Sequence, residues 1–115
     1  MLRGDIHLIN LDPVRGNEAN KQRPAVIVSN DRANAAAQRL QRGVITVVPV
    51  TSNVRRLYPF QTLLPADRTG LPRDSKAQAE QIRSVSLERV GAALGHLPGD
   101  LLTELDDAIR IQLDL

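Results

Sequence analysis

Arg23-Pro24-Ala25-Val26-Ile27-Val28-Ser29-Asn30 is the stretch that decides how this chain folds. Pro24 pushes Arg23 out of the helical region into extended backbone. It can also open a strand, because its missing N–H falls at the first position. The run that follows is apolar on both faces, which places it centrally in a sheet. The residues before it, 16–22 (Gly-Asn-Glu-Ala-Asn-Lys-Gln), are polar and read as a loop. Arg23 is therefore expected at the lip of a sheet, between a mobile loop and a buried strand. A permanent cation held there is suited to grip a phosphate.

On the N-terminal side, residues 5–11 alternate loosely, with Ile6, Leu8 and Leu11 inward, and read as a first strand ended by Asp12-Pro13. On the other side, Asn30-Asp31 offers an N-cap to an alanine-rich helix over 32–40, with Gly43 as its C-terminal glycine. Residues 44–50 (Val-Ile-Thr-Val-Val-Pro-Val) are β-branched almost throughout and form a third strand, which Pro49 is expected to bend. A hydroxyl-rich turn, Thr51-Ser52-Asn53, comes next, then a strand over 60–64 and a loop over 65–73. Residues 75–86 would tolerate helix by composition, yet show a mixed period-2 pattern, and are read as one long strand. A short strand over 91–96 follows. Asp100 is the expected N-cap of a terminal helix whose stripe is Leu101, Leu105, Ile109 and Leu113. The expected fold is mainly β with some α: a small, partly open antiparallel barrel in one domain, residues 1–115, with a short helix and an amphipathic C-terminal helix.

Composition narrows the function. The chain has no cysteine, so disulfides, thiolate metal sites and a cysteine nucleophile are excluded. Tyr58 and Phe60 are its only aromatic residues, too few to stack successive bases as recognition-motif sheets do. Neither a signal peptide nor an apolar run of membrane-spanning length stands out, so a cytoplasmic protein is expected. The net charge of +2 is unevenly spread. In residues 100–115 five acids face only Arg110, leaving −4, and the preceding 99 residues carry +6. A basic body with an acidic end fits a polyanion-binding surface.

Most catalytic signatures are missing. His7 and His96 stand outside any metal-ligand spacing and read as structural or surface residues. Asp106 and Asp107 are neighbours on a helix and cannot share a metal. Two polar clusters remain at strand ends: residues 16–22 with Arg23, and Thr51-Ser52-Asn53. If the second and third strands are antiparallel neighbours, Arg23 and Thr51 meet. An arginine fork and a threonine hydroxyl would then clamp a phosphate. The alternative is a plain turn at 51–53 and a surface ion pair at Arg23.

Arg3-Gly4-Asp5, Leu11-Asp12-Pro13, Gly16-x-Glu18, the 23–30 stretch, Val48-Pro49-Val50-Thr51-Ser52-Asn53 and Glu80-Gln81-Ile82-Arg83-Ser84 occur in that order. As an ordered set they resemble the MazF/PemK (Kid) toxins of type II toxin–antitoxin systems, nearly end to end. The resemblance implies an SH3-like barrel, a homodimer, and sequence-specific, metal-independent cleavage of single-stranded RNA, with no cofactor. Attack by the ribose 2′-OH would leave a 2′,3′-cyclic phosphate and a 5′-OH. It also implies restraint by a cognate MazE-like antitoxin. It puts the catalytic arginine on Arg23 and the catalytic threonine on Thr51, a gating loop on 16–22 that carries Asn17 and Glu18, and base contacts on Asp74, Ser75 and Gln81, beside Ser52 and Asn53. It makes 75–86 a strand. Arginine is a poor base, so Arg23 is expected to stabilise the phosphorane, with Glu18 and His7 as candidate proton acceptors. Two alternatives stay open: a toxin of the same fold that poisons DNA gyrase without catalysis, and an RNA-binding module that does not cut.

Overall fold

The computed structural model describes residues 1–11 and 22–115. Residues 16–21 of the expected gating loop, with Asn17 and Glu18, lie outside the described residues, and Gln22 opens β2. The strands are β1 (Asp5–Asn10), β2 (Gln22–Ile27), β3 (Val44–Thr51), β4 (Gln61–Leu64), β5 (Ser75–Gln78), β6 (Arg83–Ser86) and β7 (Val90–His96). The helices are α1 (Asp31–Leu40), α2 (Ala66–Thr69) and α3 (Gly99–Leu113). All strand pairs are antiparallel, in the order β4-β5-β3-β2-β1-β7, with β6 on β3. The expected fold class is met: an open antiparallel sheet, a short helix and a C-terminal helix.

Period-2 alternation builds two cores from one sheet. Val26 and Val28 on β2 and its exit, with Val48 and Val50 on β3, face Leu97, Leu101 and Leu105. Ala25, Ile27, Ile45 and Val47 face the other way, against Ile9, Leu11, Val85 and Ala37 of α1. β2 lies centrally, as its two-sided apolar run requires. In β1 the inward residues are Ile6 and Ile9, with Leu11 just beyond, whereas Leu8 is only half-buried. Register shifts against β7 around His7 break the strict alternation.

Four local expectations are corrected. Residues 75–86 are two strands, because a 3-10 turn at Ala79–Gln81 interrupts them. β6 pairs with Val44–Val47 and β5 with Val50 and Thr51, leaving a gap on that edge of β3. Pro49 lies buried inside β3, which runs on to Thr51. The Val28 N–H bonds the Thr46 carbonyl, so by alternation position 49 faces the edge with the gap, where a missing donor costs nothing. The C-cap of α1 is Gln41, in the left-handed region with φ 54°, not Gly43. Asn30 does cap the N-terminus, accepting from the Ala33 N–H. The N-cap of α3 is Pro98 rather than Asp100, whose carboxylate instead pairs with Arg68. That bond is the main force holding the Asp100 carboxyl below its usual range. Leu113 escapes the buried stripe and is 48% exposed.

No ladder joins β4 to β7, and the seam is closed by α2. A methyl on Gly95 of β7 would collide with the Thr69 carbonyl oxygen, so backbone packs on backbone there. Arg3 ties the far end, donating through Nε to the Val28 carbonyl at 2.9 Å and pairing with Asp106 of α3. Among the described residues no helix is long and apolar enough to cross a membrane.

Candidate active site

β2 enters the sheet where β3 leaves it. Ala25 lies opposite Pro49, Val26 opposite Val48 and Ile27 opposite Val47. Two residues further along that register, Arg23 comes opposite Thr51. On its other side Arg23 pairs with the buried Ile9 of β1. The extended backbone that Pro24 imposes therefore sets an exposed guanidinium on a rigid base, beside a half-buried hydroxyl.

The two residues stand on the ridge between two cavities. One, of about 390 Å³, is walled by Leu71 and Pro72 and edged by Ser52, Arg73 and Ser75. The other, of about 410 Å³, has Leu11 and Pro49 as apolar wall and Gln78, Gln81 and Arg83 as polar groups. Arg23 and Thr51 line both. Three arginines face these cavities, and among the described residues no carboxylate does. Such a surface draws an anion and repels none.

Hydrogen bonds fix several of these groups. Thr51 Oγ1 accepts the Asn53 N–H at 3.2 Å, which leaves its own hydroxyl hydrogen free to donate outward. Arg83 Nη1 donates to the Leu11 carbonyl at 3.0 Å. Ser75 Oγ donates to the Arg73 carbonyl at 2.9 Å, keeping lone pairs for a ligand. An arginine fork beside a free hydroxyl can hold a tetrahedral phosphate and stabilise the extra charge of a five-coordinate one. The amides and guanidinium of the polar cavity offer both donors and acceptors to a base edge.

Of the residues expected from sequence, Arg23, Thr51, Ser52, Ser75 and Gln81 meet around this ridge. Asn53 joins through its backbone only, and its side chain accepts the Arg55 N–H. Asp74 lines neither cavity, because its carboxylate accepts the Ala66 N–H that opens α2. His7 lines a different cavity, with Met1 and Gln41, and its Nδ1 bonds the Gly91 carbonyl at 3.0 Å. His96 pairs with Asp5 at the opposite end of β1. Among the described residues no three His, Asp or Glu side chains cluster as a metal site would need. Sequence reasoning passed over Arg73, Gln78 and Arg83. Only Arg83 carried a signal, since it stands in the Glu80–Ser84 motif.

Comparison with known proteins identifies the family of the chain. The chain is 61% identical over 115 residues to the endoribonuclease MazF9 of Mycobacterium tuberculosis, covering all of this chain and 98% of that one. It is 30% identical over 114 residues to the endoribonuclease EndoA of Bacillus subtilis, covering 98% and 94% of the two chains. A crystal structure of MazE–MazF from Deinococcus radiodurans superposes with a TM-score of 0.74 at 26% identity, covering 100% of this chain and 97% of that one. The model of PemK-like, MazF-like toxins matches residues 2–113. With nearly its whole length inside that match and a 61% identical full-length relative, the chain belongs to the PemK-like, MazF-like toxins of type II toxin–antitoxin systems.

Proposed function

We propose that this chain is an endoribonuclease that cuts single-stranded RNA with side chains alone, acting as a growth-inhibiting cytoplasmic toxin until a MazE-like antitoxin occupies the same groove. The observation that carries the reading is the register that sets Arg23 opposite Thr51, on a ridge between two cavities. A phosphodiester laid over that ridge has one nucleoside on each side. Its phosphate meets the guanidinium and the free hydroxyl hydrogen of Thr51.

The ribose 2′-oxygen attacks phosphorus as its proton passes to a base, the bond to the 5′-oxygen breaks as that oxygen takes up a proton from solvent, and the products are a 2′,3′-cyclic phosphate and a 5′-OH. Arg23 stabilises the charge that accumulates on the phosphorane, and Thr51 orients a non-bridging oxygen. Electrostatic groups of this kind each contribute about 100- to 1,000-fold in rate. Gln78, Gln81, Arg83 and Ser75 read the flanking bases, and a homodimer would set two such ridges side by side. Of the two candidate acceptors for the 2′-proton, His7 lines a separate cavity, and Glu18 lies outside the described residues.

The test is incubation of purified protein with a mixed RNA pool in EDTA, followed by mapping of 5′-OH ends. Cleavage at a restricted sequence set is expected. Arg23→Ala and Thr51→Val are expected to lower the rate by at least about 100-fold. Uncut RNA, cleavage that EDTA abolishes, or an Arg23→Ala enzyme of ordinary rate would overturn the proposal.

A further inference from the structure

Lys76 is the only charged side chain among the described residues that is buried, at 7% exposure. It lies on β5 directly opposite Thr51, so the two side chains project from the same face. None of the ion pairs among the described residues includes it. Its Nζ instead donates to the Arg56 carbonyl at 2.7 Å and stands 5.9 Å from the centroid of the Tyr58 ring. That ring stacks on Phe60, with centroids 5.3 Å apart, and the Tyr58 N–H bonds Gln61 Oε1. Taking an ammonium out of water is costly when a carbonyl and a ring are its partners, so a peg serving packing alone would be better made of an apolar residue.

The chain that Lys76 pins is the one that leaves Thr51. Over residues 52–56 two bonds run back toward the site: the Arg55 N–H to Asn53 Oδ1, and the Asn53 N–H to Thr51 Oγ1. The second decides where the threonine hydrogen can point. We propose that Lys76 is a positioning residue for Thr51. By anchoring the Arg56 carbonyl it keeps the Asn53 N–H on the threonine oxygen, and thereby keeps the hydroxyl hydrogen aimed at the ridge. The role rests on the RNA-cleaving reading above, but its structural half can be measured without RNA.

Lys76→Met is expected to lower kcat about 10- to 100-fold, the scale of a small misplacement of a reacting group, with KM for RNA changed less than about twofold. Because the chain has no cysteine, Lys76→Cys carries the only thiol. Alkylating it with 2-bromoethylamine restores an ammonium of nearly lysine length and should recover kcat, whereas capping with iodoacetamide should not. Backbone ¹⁵N relaxation supplies the readout independent of activity. The Asn53 and Arg55 amides should fall from the rigid range, S² about 0.85, toward below about 0.6 in Lys76→Met. Unchanged Asn53 and Arg55 order, a wild-type kcat in Lys76→Met, or no recovery on aminoethylation would each overturn the role. A wild-type protein that cuts no RNA, yet whose Asn53 loosens on mutation, would overturn the RNA-cleaving reading and leave Lys76 as an anchor of Thr51.

Discussion

Asp5 shows how one side chain balances opposing effects. Burial pushes its carboxyl upward, but the Leu2 N–H at 2.7 Å and the His96 ring at 2.7 Å outweigh that and leave its pKa below the ordinary value. A carboxyl lowered in the folded state adds stability above its unfolded pKa and loses it as pH falls through the folded value. The contribution should therefore be present at neutral pH and fade as acid is added below about pH 4. Urea melts across pH 2–7 should show a shallower acid decline for Asp5→Asn than for wild type, and an identical decline would refute the assignment. Arg23 and Thr51 illustrate what residue chemistry makes readable. Proline restricts the residue before it whatever the fold, so an extended arginine at a strand entrance was legible from two letters. Lys76 carried no such mark. Its neighbours in sequence, Ser75 and Ala77, say nothing of Arg56 or Thr51, which only sheet pairing brings to it.

Elements were legible where the physics is local. The β-branched run of β3, the Asn30 cap of α1 and the Leu101 and Leu105 part of the α3 stripe formed as their periodicity or capping chemistry requires. The interruption at Ala79–Gln81 was not legible, because its cause lies in the other strand. β3 presents a proline where the partner's carbonyl would need an N–H donor, and the partner leaves the ladder at that place. The seam between α2 and β7 was equally hidden. Gly95 looks like an ordinary strand glycine until Thr69 is laid against it. Gly95→Ala should lower the urea midpoint and cost about 3 kcal/mol, the upper end for forcing atoms into packed space. A variant as stable as wild type would mean that α2 does not close the sheet.

Across the molecule the charge asymmetry takes a different form from the one composition predicts. Two of the acids near the C-terminus fold back as partners, Asp100 to Arg68 and Asp106 to Arg3, and Asp107 pairs within α3 with Arg110. Two acids of that end thus tie α3 to α2 and to the chain ahead of β1, and the arginines around the ridge are left to face solvent. With Arg23, Arg73 and Arg83 at the cavities, binding of a single-stranded RNA should weaken with salt, at a log–log slope of about −2 or steeper. Fluorescence titration with the Arg23→Ala/Arg73→Ala pair should flatten that slope by about 1.4. A flat wild-type response would speak against a phosphate-led interface. The identity of β1, β2, β3, α1 and α3, two-sided burial of β2 and the candidate pair Arg23 and Thr51 follow from sequence, because period, proline geometry and side-chain chemistry act within a few residues. The coincidence of that pair, the two cavities flanking it, the exclusion of His7 and Asp74 and the recruitment of Lys76 belong to the folded chain. They depend on which strand lies beside which and in what register, and that is settled by the packing of both sheet faces at once.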